Sequence, residues 1–303
     1  MWFLYSILAL FFWSGSDLFS KIGCRDASDK YSHFKMTMAV GVVMGLHAAY
    51  EMIVGGVVVT PEVIIKYLPV SMLYIASMTI GYLGLRYIEL AISSPICNSS
   101  GAIVALLSIS IYGISEFNIF QILALIAVCV GVIGLGIVNM TEDEEVRAAR
   151  QAGSKYKYVP SIMALAIPVI YALLDALGTF GDSLVLQTLD EEAANCAYEL
   201  TFLAVAVVCA IYVLGIKKQK LVPKMELPKY VGASFETVGQ FFYIFAIADA
   251  SHIMFSAPII SSYCALSVVW SRLILKEKLS WKHYLMIVIT VIGIAVLGLF
   301  DEM

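Results

Sequence analysis

The sequence predicts an all-α polytopic membrane protein with ten transmembrane helices, arranged as two inverted five-helix repeats. Three features indicate this class: long apolar runs, an internal repeat and basic residues confined to alternate loops. The 303 residues are 61% hydrophobic and 14% charged, and their mean hydropathy is +0.89. A soluble domain carries about 25% charged residues, so this chain has too few charges to cover a surface in water.

The apolar runs follow one another along the whole chain. Most contain about 20 residues, enough for a helix to cross a hydrocarbon core of about 30 Å. The runs are continuous rather than alternating, which favours helices over a β-barrel. We predict ten spans, at residues 2–21, 33–55, 67–90, 93–114, 117–139, 159–186, 193–215, 228–250, 252–275 and 281–300.

The internal repeat indicates how these spans are grouped. Pro95 opens an apolar run that ends at a turn with Glu116, and Pro258 opens a similar run that ends at Glu277. A glycine-spaced apolar run follows each turn, and the two copies keep the same spacing apart from a two-residue gap. Such self-similarity indicates a duplicated structural unit.

A polar stretch at residues 141–158 separates a first unit, 1–140, from a second, 159–303. Its charged residues predict a solvated connector. Each unit contains five spans, an odd number, so the second unit must enter the membrane from the opposite face. In inverted repeats the substrate site lies near the midplane, between the units.

Basic residues predict the orientation. All but two of the 19 lysines and arginines lie in or beside four loops, the exceptions being Lys66 and Arg86. The positive-inside rule places those loops in the cytoplasm and both termini outside, in a multi-pass protein of the cell membrane. The four loops cover residues 22–35, 141–158, 216–229 and 272–282.

Several short features recur in a fixed order along nearly the whole chain. They are Trp13-Ser14-Gly15, Pro95, Glu116 with Gly131, Gly134 and Gly136, then Pro258, Glu277, Gly293 and Gly298. Their order resembles the EamA-type transporters of the drug/metabolite transporter superfamily. The resemblance implies a secondary transporter, often an exporter, that binds a small metabolite or drug between the first four helices of each half. The sixth span lacks the tryptophan, and family members usually have cytoplasmic termini, the reverse of the charge rule.

Three aspartates inside the predicted spans are candidates for coupling transport to an ion. Asp17 lies in the first span, and Asp175 and Asp182 lie on one face of the sixth. An ionisable residue at membrane depth is costly and is by default a functional hypothesis. An apolar site also disfavours the charged form, as a residue that alternately binds a proton or a cation requires. The alternative is a hydrogen bond to a neighbouring helix.

Polar residues of two other spans are candidates for binding the substrate. Glu236, Gln240 and Tyr243 share one face of the eighth span, and Tyr82 lies in the third. Such a stripe suits a polar solute, but it also suits contacts between helices. Asn98 is a further candidate, beside a proline that frees a backbone carbonyl. Pro95 and Pro258 themselves are interpreted as hinges.

Charges near the predicted helix ends are interpreted as turn and topology residues that reach water, among them Lys21 and Glu277. His47 could move protons, although a hydrogen-bonded structural histidine is the favoured interpretation. The spans hold carboxylates and tyrosines but no lysine or arginine at comparable depth. This favours a cationic or zwitterionic solute, such as an amine or amino acid, exchanged for protons or a counter-solute.

Other classes of function have little support in the sequence. There is no basic arm for nucleic acid, no Cys/His cluster for a metal, no phosphate-binding loop and no residue pair typical of an enzyme. No cofactor is expected; the expected partners are the lipid bilayer and a small-molecule substrate. A lipid-handling or enzymatic membrane protein without transport activity is the alternative. The sequence leaves the oligomeric state open, and a monomer is compatible with it.

Overall fold

A computed structural model describes residues 2–26, 28–112, 118–152, 158, 160–186, 188–247, 260 and 262–300. Regular secondary structure within these ranges is helical. The helices are α1 (Trp2–Cys24), α2 (Ser32–Tyr50), α3 (Pro61–Gly84), α4 (Leu90–Cys97), α5 (Ser100–Tyr112), α6 (Ile119–Thr141), α7 (Glu144–Gln151), α8 (Ile162–Val185), α9 (Glu191–Ala210), α10 (Pro223–Ile247), α11 (Tyr263–Trp270) and α12 (Trp281–Phe300).

Among the described helices, six are long and apolar enough to cross a membrane. They are Trp2–Cys24, Ser32–Gly55, Pro61–Gly84, Ile119–Thr141, Ile162–Asp182 and Glu191–Ile216. Shorter apolar helices lie at Leu90–Val104, Tyr263–Leu275 and Trp281–Val296. The prediction of an all-helical polytopic membrane protein is therefore confirmed.

Helix boundaries follow local capping signals. Asn118 begins α6 with a capping box, in which its side chain and that of Gln121 satisfy each other's backbone N–H groups at 2.9 Å. Asp190 begins α9 by accepting from the backbone N–H of Ala193 at 3.0 Å. Gly56 ends the second span at a positive φ of 79°, a conformation that glycine adopts without strain.

The predicted fourth span, 93–114, is not one continuous helix. Helix α4 ends at Cys97, and α5 begins at Ser100. Pro95 lacks a backbone N–H, and the Ser99 hydroxyl donates to the carbonyl of Ile96 at 2.6 Å, which competes with helical bonding. Asn98 lies at this break.

The two halves of the chain are interleaved in space. The helix contacts include the pairs α1 with α10, α2 with α9, α3 with α8, α4 with α11 and α6 with α12. Each pair joins a helix from residues 1–140 to a helix from residues 159–303. The surfaces that bury the apolar residues therefore lie largely between the halves.

Small residues allow α6 and α12 to pack closely. A Cβ atom on Gly131 would lie 2.1 Å from the Thr290 hydroxyl and 2.9 Å from the carbonyl oxygen of Met286. A Cβ atom on Gly293 would likewise lie 2.9 Å from the carbonyl oxygen of Ala124. Backbone atoms cannot move aside as a flexible side chain can, so glycine is required where the helices touch.

We expect Gly131→Ala to lower the free energy of unfolding by about 1–3 kcal/mol, because the added methyl group overpacks the α6–α12 contact. The measurement is thermal unfolding of the purified protein in detergent. Gly136→Ala is the matched control on the same helix, since its Cβ would have its nearest contact at 3.9 Å. Equal effects of the two substitutions would contradict this account of the contact.

Candidate functional site

A cavity of about 410 Å³ lies between the two halves. Side chains from α1, α3, α4, α8, α9, α10 and α11 line it. The fold brings together the candidate coupling and binding residues, which come from four separate helices and one helix break. Their roles remain predictions. All the sequence-predicted coupling and binding candidates lie in its wall, namely Asp17, Tyr82, Asn98, Asp175, Asp182, Glu236, Gln240 and Tyr243.

The Asp17 carboxylate joins three helices. Its Oδ2 atom accepts hydrogen bonds from Ser94 of α4 at 2.5 Å and from Ser267 of α11 at 2.7 Å. These serines belong to the repeated stretch, one in each half. The negative charge is thus stabilised by two hydroxyl groups rather than by a basic side chain.

The other acidic residues of the cavity are also partnered by hydroxyl groups. Asp175 accepts a hydrogen bond from Ser100, and Glu236 accepts one from Ser16. Asp182 accepts a hydrogen bond from the Tyr67 hydroxyl at 2.6 Å. None of the described residues that line the cavity is a lysine, arginine or histidine. The cavity therefore holds four carboxyl groups without a basic partner in its described wall.

Tyrosines form much of the remaining wall. Besides Tyr82 and Tyr243, the lining includes Trp13 and five further tyrosines, Tyr67, Tyr74, Tyr171, Tyr198 and Tyr263. These five were not identified as site residues from the sequence. The available signal was spacing: Tyr67 and Tyr74 are separated by two helical turns, and Tyr171 is one turn from Asp175.

A polar chain leads from the cavity wall towards α2. Gln240 donates to the side-chain oxygen of Asn195 at 3.4 Å, and Asn195 donates to Glu199 at 3.4 Å. The Nδ1 atom of His47 is 2.9 Å from that same carboxylate, whose residue is fully buried. The interpretation of His47 as a hydrogen-bonded histidine is confirmed. Its partner Glu199 was not found from the sequence.

Only one of the two predicted hinge prolines lies within the described residues. Pro95 is buried within α4 and does not line the cavity. The nearby side chain of Asn98 donates to the Ser94 carbonyl at 3.0 Å and shares a hydrogen bond with Tyr263. Pro258 lies outside the described residues, as does Glu116.

Comparison with known proteins bears on the resemblance seen in the sequence. Residues 161–299 match the model of the EamA-like transporter family. This match makes the second half of the chain similar to the EamA-like transporter family. The match supports a membrane transporter of the drug/metabolite transporter superfamily rather than an enzyme.

The sequence was also compared with curated proteins, and the structure with solved structures. No curated protein matches the sequence. A solved structure titled "Crystal structure of protein" superposes with a TM-score of 0.56 over 97% of this chain and 94% of that one. The two sequences are 17% identical, so the likeness shows a shared fold.

The protein has one end at which buried ionic contacts connect the halves; we call it the basic end. Lys21 of α1 is fully buried. Its Nζ atom donates to the carbonyl of Leu85 at 2.7 Å and of Ile88 at 2.5 Å, and lies 3.8 Å from Glu277. The ammonium group also lies 4.4 Å from the centre of the Tyr158 ring.

The prediction that Lys21 and Glu277 reach water is wrong. Glu277 accepts hydrogen bonds from the backbone N–H of Leu90 at 3.0 Å and from the hydroxyl groups of Ser271 and Tyr158 at 2.6 and 3.2 Å. These donors come from the first half, the second half and the connector. The sequence showed only that both charges lie at helix ends, whereas residues distant in the chain bury them.

The connector is not simply solvated, which corrects a second prediction. Arg150 of α7 donates to Glu142 at 2.7 Å, to Glu89 at 2.9 Å and to the carbonyl of Lys278 at 2.9 Å. Its neighbour Gln151 is buried and also binds Glu89, at 3.1 Å. The short helix α7 thus binds turns from both halves.

A second buried cluster lies at the basic end, between the start of α2 and the start of α10. Lys35 pairs with Asp29 at 3.1 Å and Glu226 at 3.3 Å. Lys229 pairs with Glu226 at 2.9 Å and Asp29 at 3.7 Å. Two cations and two carboxylates alternate, so each buried charge has a partner from the other half.

We expect Lys21→Met to lower the free energy of unfolding by about 3–5 kcal/mol, because it leaves the buried Glu277 carboxylate without its cation. Thermal unfolding in detergent measures this. Lys66→Met, which removes an exposed lysine, is the control and should change little. The double variant Lys21→Met/Glu277→Gln should recover part of the loss, and an additive double variant would contradict the pairing.

Acid should weaken the contact between α7 and the end of α6. Burial opposes the charge on Glu142, yet hydrogen bonds from Arg150 hold the pKa of this carboxyl below its ordinary 4.5. A lowered pKa contributes stability that is present above pH 4.5 and is lost as pH falls through the folded-state value. We expect Glu142→Gln to reduce the fall in unfolding temperature between about pH 5 and pH 3. An unchanged acid profile would contradict this role.

Proposed function

We propose that this protein is a secondary active transporter, an exporter or exchanger, that moves a small organic cation or zwitterion by alternating access. The observation that carries the proposal is the cavity between the halves. Four carboxyl groups and seven tyrosines line it, without a lysine, arginine or histidine in its described wall. A central polar cavity inside an all-helical membrane protein is the arrangement that a transporter requires.

The lining favours a positively charged substrate. Carboxylates attract an ammonium group, and aromatic faces add cation–π attraction. A carboxylate or phosphate solute would instead need cationic partners. Asn98, Gln240 and Tyr243 offer hydrogen bonds and ring contacts to the rest of a small molecule, in keeping with an amine or an amino acid.

We propose ten spans in two inverted five-helix units, 1–140 and 159–303, with α4 and α5 together forming the fourth span. The helix contacts support this arrangement. If the units are equivalent, α1 corresponds to α8 and α3 corresponds to α10. The contact between α1 and α10 then has a counterpart between α8 and α3, and both contacts are present. Corresponding helices also contact each other in the pairs α2–α9, α4–α11 and α6–α12.

Alternating access would require the basic end to open and close. Ser20 and Leu85 line the cavity, and the next side chain along α1, Lys21, binds the Leu85 carbonyl. The buried ionic contacts therefore lie directly beyond the cavity wall. We propose that they hold this end closed and separate when the substrate is released there.

Asp17 and Asp175 are the proposed coupling residues. Both lie in the helix that opens its half, and both face the cavity through hydroxyl-bound carboxylates. Protonation of Asp17 would remove the charge that Ser94 and Ser267 stabilise from opposite halves. Binding of a proton or a counter-solute at Asp17 would thereby change the contact between α4 and α11. A ligand that binds one conformation better than the other shifts the protein towards that conformation.

We place the protein in the cell membrane with its basic end in the cytoplasm, following the positive-inside rule. Arg86, one of the two exceptions in the sequence, supports a single basic end because it donates to the Lys30 carbonyl at 3.0 Å. Lys66, the other exception, pairs instead with Glu62 near the start of α3.

The test is transport by the purified protein in lipid vesicles that contain a pH-sensitive dye. A panel of amines and amino acids is added under an imposed pH gradient, and proton movement is recorded for each solute. We expect at least one solute to move protons with the wild type, and Asp17→Asn or Asp175→Asn to reduce the rate by about a hundredfold or more, as loss of a required proton-transfer group does.

Asp143→Asn, a change outside the cavity at the start of α7, is the control and should behave as the wild type. If no solute moves, and no proton moves, the transport proposal fails. If the two cavity variants transport normally, the assignment of the coupling residues is wrong although the transport function stands.

A further inference from the structure

Two carboxylates on α8 face the same cavity at different depths. Asp175 and Asp182 both line it, and they are seven residues apart on one continuous helix. Two helical turns separate them by about 10.5 Å along the axis. This distance is too long for one ammonium group to contact both carboxylates.

An aromatic ring lies between the two carboxylates. A Cβ atom on Gly178, midway along this stretch, would lie 3.0 Å from the Cε1 atom of Tyr74. The Tyr74 ring therefore rests on the backbone of α8, where any larger residue would displace it. Its hydroxyl donates to Thr179 at 3.3 Å, and the edge of the Tyr198 ring packs against it at 6.0 Å between centroids.

The two ends of this surface offer equivalent chemistry. The Tyr67 hydroxyl donates to Asp182, and the Ser100 hydroxyl donates to Asp175. Hydroxyl groups stabilise a carboxylate without neutralising it, so each can still attract a cation. A monovalent cation can pair with only one end of this surface, whereas a ligand with two separated positive charges can pair with both.

We propose that the substrate is a linear dication, an α,ω-diamine or polyamine. One ammonium group binds Asp175, the other binds Asp182, and the methylene chain crosses the Tyr74 ring. The aromatic face suits both the apolar chain and the adjacent positive charges. This inference rests on the transport function proposed above and narrows its substrate class from organic cations in general to those with two separated charges.

The experiment measures the binding of straight-chain diamines of increasing length to the purified full-length protein in detergent, by calorimetry. Alkyl monoamines of the same lengths are measured in parallel. We expect diamine affinity to pass through a maximum where the ammonium groups are about 10 Å apart. At that length the diamine should bind about tenfold or more tightly than its monoamine, the effect of one additional charge-assisted hydrogen bond.

Substitutions locate the second charge. Asp182→Asn should reduce the affinity of the best diamine to that of the monoamine, while the monoamine affinity should fall by about twofold at most because Asp175 remains. The remaining monoamine binding also shows that the variant is folded. Glu192→Gln removes an exposed carboxylate at the start of α9 and is the matched control. It should leave both affinities unchanged.

The outcomes separate the two proposals. If monoamines and diamines bind equally well at every length, the dication is wrong and the organic-cation transporter stands. An equal effect of Asp182→Asn on both ligand classes leads to the same conclusion. If no amine binds and none is transported in the vesicle assay, the proposed function fails together with the substrate class. The length series on the wild type remains decisive even if a variant does not fold.

Discussion

The hydrogen bonds to Asp17 are the constraint around which the centre of the molecule is built. One carboxylate oxygen accepts from Ser94 and from Ser267, which lie in opposite halves of the chain. A carboxylate inside an apolar bundle is stable only if its lone pairs are satisfied. Helices α1, α4 and α11 meet at this carboxylate. Since both hydrogen-bond donors are neutral, binding of a proton or a cation would change the net charge of the contact.

The carboxyl groups of the cavity are separated in space from the buried lysines of the protein. The cavity acids are bound by hydroxyl groups, while Lys21, Lys35 and Lys229 are buried at the basic end in pairs with carboxylates. Asp17 and Lys21 are one helical turn apart on α1, the spacing of a helical ion pair, yet they take different partners. The separation leaves the cavity attractive to cations and gives the basic end contacts between the halves.

Much of the site could be predicted from the sequence because charged residues are rare inside membrane spans. Asp17, Asp175, Asp182 and Glu236 stand out against apolar neighbours, and all four line the cavity. The tyrosines could not be selected in this way, because tyrosine is common both in the helices and at the interfaces of membrane proteins. Glu199 was missed although it is the ninth residue of α9 and lies inside the predicted span 193–215, where its charge was the available signal.

The sequence by itself determined the helical character of the chain and the chemical groups available, because apolar runs, capping residues and helical spacing are local properties. Only the tertiary structure decided which faces meet. Ser267 reaches Asp17 across 250 positions of the chain, and Leu90 reaches Glu277 across 187. The burial of Lys21, the packing of α7 against both halves and the formation of a cavity lined by Tyr74 depend on such distant contacts. No local sequence pattern predicts them.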